Sequence, residues 1–275
     1  MTLNTRRGGE GPPVVILHGL FGSAENWQTI ARLLASNYHV AAVDLRNHGE
    51  SPHAPEMSYR DMAADVIETV DTIGFDSVHL VGHSMGGKVA MTAALRNPDR
   101  VASLCVVDIA PKPYPPHHRE ILDAMHALED ADTRSRAEAD EVLATGIPDA
   151  AVRAFLLKSV RADDEGRYRW TLNLHAITQS YDDIAGWPPG EGTPPDEGMP
   201  PGEGRPPDEG RYTGPTLFLR GALSDYVTEA DVEAARMRFP AARLVTVEGA
   251  GHWVHAEQRS AFVQRLVRFL EMPGR

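Results

Sequence analysis

A chain of 275 residues, 42% of them apolar, has the length and hydrophobic content for one large α/β domain or a core with a small cap. Its formal net charge of -12 argues against nucleic acid or an anionic membrane surface as a partner, and solubility alone accounts for it. One cysteine excludes a disulfide framework, Met1 to Arg7 lacks the apolar stretch of a signal peptide, and no run approaches the ~20 apolar residues of a membrane span, so a cytoplasmic location without membrane insertion is expected.

Thr2 to Arg6 reads as a short edge strand and Gly8 to Gly11 as a turn. Val14 to Leu17 is a continuous apolar, β-branched run, the mark of a strand buried on both faces. It ends in His18-Gly19-Leu20-Phe21-Gly22, after which Ser23 caps a helix from Ala24 to Ala35. His39 to Val43 is the next strand and ends at Asp44, ahead of the loop Leu45 to Ser51. Ser58 caps a helix from Tyr59 to Ile73, closed by Gly74. The apolar run Ser77 to Val81 leads into Gly82-His83-Ser84-Met85-Gly86, and a helix-compatible run from Met85 to Leu95 leads out until Asn97-Pro98 stops it. Val101 to Val107 is a further strand, with Cys105 an inert core residue, and it ends at Asp108. Strand alternating with helix at this spacing predicts an α/β fold built on a mainly parallel, doubly wound sheet.

The pattern then changes. After the proline-rich stretch 111–116, four helices are expected at 119–129, 134–143, 149–160 and 172–181, with no strand between them. This is the signature of an inserted helical cap spanning 112–187, set into a core made of 1–111 and 215–275. Residues 188–211 are a hexapeptide array of the type Pro-Pro-Gly-Glu-Gly, acidic and almost without apolar side chains. Such a segment buries too little surface to offset its ordering entropy, so 188–214 is read as a tolerated, disordered insertion. Alternation resumes with a strand at Pro215 to Leu219, a helix from Glu229 to Phe239 capped by Thr228, a strand at Arg243 to Val247, and a closing helix from Glu257 to Leu270.

Gly82-His83-Ser84-Met85-Gly86 has the form G-x-S-x-G between strand and helix. Small flanking residues let a serine occupy a strained turn, with its hydroxyl exposed at the carboxyl end of the sheet. Acyl transfer by a serine also needs a base, a group that orients the base, and donors for the oxyanion. His252 is the base candidate, because it follows the last strand on a glycine-rich loop and can reach over the sheet edge. His255, three residues on, points elsewhere and is structural. Gly19 lets the backbone turn so that the N–H of Leu20 or Phe21 faces the serine, and the N–H of Met85 is the second donor. His18 is a hydrogen-bonded loop anchor. For the acid there are two positions, Asp108 and Asp225, both at strand ends and both in the chain order serine, acid, histidine. Asp225 stands one place late after Gly221, which favours Asp108 as the acid with Ser224 bonded into the same network and Asp225, like His18 and Gly19, in support. Asp44 supports the 46–51 loop. The 12 histidines show no metal-ligand spacing, and His117-His118 reads as a solvated turn. With no dinucleotide or P-loop motif, no cofactor and no metal are implied.

With these residues in view, the chain resembles the α/β-hydrolase superfamily, and more closely the YbfF-type bacterial esterases, which also act on acyl-CoA thioesters. The resemblance rests on 18–23, 43–51, 82–88, 107–111, 155–159 and 249–257. It implies a serine hydrolase of small to medium acyl esters or thioesters, with Asp108 as the acid and Ser224 in its network. The array has no counterpart in that pattern, and Asp225 stands where those esterases carry a non-acidic residue. A carbon–carbon bond hydrolase or lyase on the same residues, and a non-catalytic receptor using the capped pocket, are the alternatives. The oligomeric state is not readable.

Overall fold

The structure is a computed structural model that describes residues 1–187 and 210–272. The hexapeptide array, and the reading of it as disordered, thus lies outside the described residues apart from Gly210 and Arg211. The strands are β1 Thr5–Gly8, β2 Pro13–Leu17, β3 His39–Val43, β4 Val78–His83, β5 Val101–Val107, β6 Val160–Ala162, β7 Tyr168–Trp170, β8 Thr216–Gly221 and β9 Ala242–Val247. The helices are α1 Gln28–Leu34, α2 Tyr59–Thr72, α3 Met85–Arg96, α4 Arg119–Asp130, α5 Arg136–Ala144, α6 Ala150–Leu156, α7 Leu174–Gln179, α8 Tyr181–Ala185, α9 Glu229–Ala235, α10 Val254–Glu257 and α11 Arg259–Leu270.

Seven strands make one sheet in the order β1-β3-β2-β4-β5-β8-β9, antiparallel only at β1 against β3. The chain winds outward from β2 to β3, then returns to lay β4 on the other side of β2. That reversal is the switch point where the loops after two neighbouring parallel strands diverge and leave a crevice. The crevice lies after Leu17 and His83, the two strand ends predicted to carry the site. Strand alternation builds a core on each face: Val15 and Leu17 pack with α2 and α3, while Val14 and Ile16 pack with α1 and α11.

Several boundaries differ from expectation, each for a local reason. The edge strand begins at Thr5 because the N–H of Leu3 donates to Thr69 Oγ1 and that of Asn4 to Ser51 Oγ, so neither joins the ladder. The helix expected from Ala24 starts as a single 3₁₀ turn, Ala24–Trp27, before α1. The third cap helix stops at Leu156, and the chain turns into β6, paired with β7. The expectation of no strand between the cap helices is therefore corrected. The ribbon forms because Val160, Tyr168 and Trp170 favour extended backbone, while Asp163 Oδ1 accepts the N–H groups of Glu165 and Arg167 around Gly166, whose φ is +75°. Among the described residues no helix is long and apolar enough to cross a membrane.

The helices between β5 and β8 are tied to the sheet layer through Lys88 of α3. This lysine is buried, donates to Ala185 O at 3.1 Å and to Gly186 O, and its Nζ lies 4.9 Å from the Tyr114 ring centre. Its protons go to backbone carbonyls rather than to a carboxylate, so burial dominates and pushes its pKa from 10.5 down to about 7. Between those values the unfolded chain holds a proton that the folded chain has released, so stability rises with pH across that window. Urea unfolding from pH 6 to 10 should show this rise, at up to ~1.4 kcal/mol per pH unit for one group. Lys88→Met removes the titrating group and should flatten the slope; an unchanged slope in the variant would exclude Lys88 as its source.

Candidate active site

Ser84 sits between β4 and α3 with φ +51° and ψ -120°, a conformation that a serine adopts only when its surroundings impose it. Two glycines make it possible. A side chain at Gly82 would collide with the carbonyl of Gly86, and one at Gly86 with the carbonyls of Leu17 and His18. The turn is thus wedged between its own helix and the end of β2. Ser84 is half-buried and reaches the cavity above the sheet edge.

The loop after β2 is held by two buried histidines. His18 Nδ1–H donates to Gly19 O at 2.8 Å and Nε2 accepts the N–H of Leu45 at 3.0 Å, which matches its reading as a loop anchor. His48 Nδ1–H donates to Arg46 O at 3.0 Å, and Nε2 accepts the N–H of Phe21 at 3.3 Å. Burial keeps both rings neutral, pushing His48 down to about 3. Of the two backbone donors expected here, Phe21 is therefore corrected: its N–H is spent on His48, and Leu20 is the residue left to offer one. Phe21 has φ +62°, and its carbonyl accepts from Ser159 Oγ at 3.2 Å, so its peptide units are fixed on both sides. Gly19 has no room for a side chain, since one would press on the His83 ring at 2.9 Å.

Asp108 follows β5, is fully buried and has φ +52°. Its Oδ1 accepts the Gly221 N–H at 3.0 Å. Its Oδ2 accepts from the Ser224 hydroxyl and from His252 Nδ1–H, the latter at 2.8 Å. Loops after three neighbouring strands, β5, β8 and β9, thereby converge on one carboxylate. Asp225 is solvent-exposed and does not join this cluster. Its placement in the supporting network is corrected, because Ser224 turns inward to Asp108 while Asp225, in the bend that follows, faces solvent. Asp44 accepts the N–H of Ala24 at 2.6 Å, the Asn4 amide at 2.8 Å and the N–H of Glu50 at 3.1 Å, so it braces the 46–51 loop as expected.

His252 is sandwiched. Tyr226 stacks on it at 4.0 Å and 25°, and the His83 ring lies 4.7 Å away on a tilt. His83 Nε2–H donates to the His252 carbonyl at 2.9 Å. His255 does point elsewhere: it stacks on Trp27 at 4.1 Å, and burial pushes it down to about 3.

Some residues of the site have no short-range signal in the sequence. His118 is not solvated, unlike the exposed His117; it bonds to Tyr181 Oη at 3.0 Å, lines the cavity and is pushed down to about 4 by burial. Tyr226 reaches the imidazole because its backbone N–H bonds to Ser224 Oγ and its carbonyl accepts from the Tyr114 hydroxyl. These placements depend on contacts 63 positions apart in the chain for His118 and Tyr181 and 112 apart for Tyr114 and Tyr226.

A family model described as the alpha/beta hydrolase fold matches residues 12–258. The sn-1-specific diacylglycerol lipase ABHD11 of Xenopus laevis is 38% identical over 270 residues, covering 95% of this chain and 80% of that protein. The esterase YbfF of Escherichia coli (strain K12) is 36% identical over 259 residues, covering 94% of this chain and 92% of that protein. Among solved structures, a marine microorganism esterase superposes with a TM-score of 0.87 at 38% identity, covering 98% of this chain and 99% of that one. The match runs from the end of the first loop to the start of the closing helix and takes in every strand end that meets the crevice; the chain belongs to the α/β-hydrolase fold family.

Proposed function

We propose that this α/β hydrolase cleaves small to medium carboxylic esters or thioesters through an acyl-enzyme on Ser84. The observation that carries the reading is the bond from His252 Nδ1 to the buried Asp108, in a cavity that Ser84 and His252 both line. With Nδ1 committed, Nε2 is the nitrogen left to exchange a proton. Ser84 Oγ attacks the acyl carbon while its proton passes to Nε2, and the charge of Asp108 stabilises the imidazolium that results. The N–H groups of Leu20 and Met85 receive the oxyanion; one such donor is worth about 3–4 kcal/mol of barrier. The tetrahedral centre then collapses, the bond to the leaving oxygen or sulfur breaks, and Nε2 returns the proton to that atom. Water, deprotonated by the same nitrogen, releases the acid and restores Ser84.

Stacking by Tyr226 and the carbonyl bond from His83 limit rotation of the imidazole, which keeps the base in one orientation. The names of the frog and bacterial relatives, a lipase and an esterase, support ester cleavage. We take residues 112–187 as the cap that shapes the substrate pocket over a core of 1–111 and 215–275.

Ser84→Ala should lower kcat by ~10⁴ or more, with folding unaffected. A fluorophosphonate should add to Ser84, read as a mass shift on its peptide; a variant retaining a tenth of wild-type turnover would exclude Ser84 as nucleophile. Asp108→Asn should cost at least about a hundredfold in kcat, because an amide cannot stabilise the imidazolium. Asp225→Asn, at an exposed position, should cost less than about tenfold, a difference of more than ~1.4 kcal/mol in barrier. The reverse ranking in side-by-side kinetics would move the acid to Asp225.

A further inference from the structure

Ser84 stands between two lobes of one cavity. The larger, about 250 Å³, is lined by His252, Trp253, Phe155 and Val152. The smaller, about 40 Å³, lies past Met85 and is lined by Tyr59, Lys88, Tyr114 and Ile184. Ser84 and Leu20 border both lobes, but His252 borders only the larger.

This asymmetry assigns the two halves of the substrate. The proton that leaves Ser84 Oγ must reach the leaving oxygen or sulfur through His252 as the bond from that atom to the acyl carbon breaks. The leaving group therefore extends on the His252 side, into the larger lobe, and the acyl chain turns the other way. The larger lobe exceeds the ~150 Å³ that admits a benzene ring. At ~10–15 Å³ for each water-sized group, the smaller takes about three such groups.

The end of the smaller lobe is braced, so it does not lengthen to suit a longer chain. The Tyr59 hydroxyl donates to Ile184 O at 2.5 Å, and Lys88 Nζ donates to Ala185 O and Gly186 O. The N–H of Tyr114 also donates to Ala185 O, at 2.9 Å, and its hydroxyl to Tyr226 O at 2.7 Å. Pushing α8 outward would break the bonds from Tyr59, Lys88 and the Tyr114 N–H to its carbonyl end together.

Resting on the reading of Ser84 as nucleophile and His252 as base, we propose that the smaller lobe receives the acyl chain and limits it to about three carbons beyond the carbonyl, while bulky, largely apolar leaving groups occupy the larger lobe. Ile184 sets the limit with its side chain, which makes none of the bracing bonds; Phe155 shapes the leaving-group side.

The test uses the full chain, p-nitrophenyl esters from acetate to decanoate, and a second series of acetate esters with alcohols from ethanol to 2-naphthol. Wild-type kcat/KM should fall by at least about tenfold from butyrate to octanoate, since single methylenes in a filled pocket carry effects of that order. Ile184→Ala should raise the octanoate-to-butyrate ratio by about fivefold or more. Phe155→Ala should leave that ratio within about twofold and change the ranking of the acetate series instead. Octanoate cleaved as well as butyrate by the wild type, or an acyl ratio that moves with Phe155→Ala, would overturn the lobe assignment while Ser84 still labels with a fluorophosphonate. Should Ile184→Ala not fold, the wild-type profile and the Phe155→Ala comparison decide the question between them. No turnover on any ester together with no labelling of Ser84 would overturn the parent reading as well.

Discussion

A carboxylate removed from water is stable only where donors replace its hydration, and Asp108 is the point on which this structure turns. It has three donors: the Gly221 amide and the Ser224 hydroxyl, both from the end of β8, and the His252 imidazole from the loop after β9. The same group therefore joins the ends of β5, β8 and β9 and holds the imidazole at the sheet edge. Its own backbone is in the left-handed region, a conformation that a non-glycine residue keeps only where the surroundings over-determine it. Packing at the end of β8 is equally close: a side chain at Gly221 would meet the carbonyls of Ala250 and Gly251. The β9 loop, and His252 with it, is thus seated against the β8 end by backbone contact before any side chain acts.

The same economy appears on the other side of the crevice. Ser84, Phe21 and Asn47 all have positive φ, and all lie in loops around the switch point between β2 and β4. None of these conformations would survive in an isolated turn. They persist because buried hydrogen bonds accepted by His18, His48 and Asp44 and donated by Ser51 fix the loops against one another. Three of the site's histidines are kept neutral by burial rather than used as bases. Neutral rings can donate from one nitrogen and accept at the other, which is how His18 and His48 each bridge two backbone segments, while His83 donates to the His252 carbonyl.

The segment between β5 and β8, proposed as a cap, contributes walls and braces. Ser159 holds the carbonyl of Phe21, Tyr181 holds His118, and the carbonyls at the end of α8 receive Lys88. Its helices are short and bury their apolar faces on the sheet layer and on one another in one continuous cluster. A cap of this kind sets the shape of the cavity. The proposed proton-transfer pair, His252 with Asp108, lies wholly in the sheet-edge loops.

By itself the sequence determined the elements whose cause is local. The short apolar runs at 14–17, 39–43 and 101–107 form strands buried on both faces, being too short for helices and flanked by turn residues. Ser58 and Thr228 start helices because their hydroxyls accept the third N–H of the first turn. The strand-turn-helix pattern around Ser84 and the glycine-rich loop before His252 marked the two side chains proposed to react, since chain order in a parallel sheet puts such loops at one edge. Asp108 was favoured over Asp225 on position alone, and only the folded chain brings its carboxylate to the imidazole while leaving Asp225 in solvent. The choice between Leu20 and Phe21, the burial of His118, the stacking of Tyr226 and the two-lobed cavity were likewise decided by tertiary structure. Each depends on groups far apart in the chain, meeting at distances that no local propensity encodes.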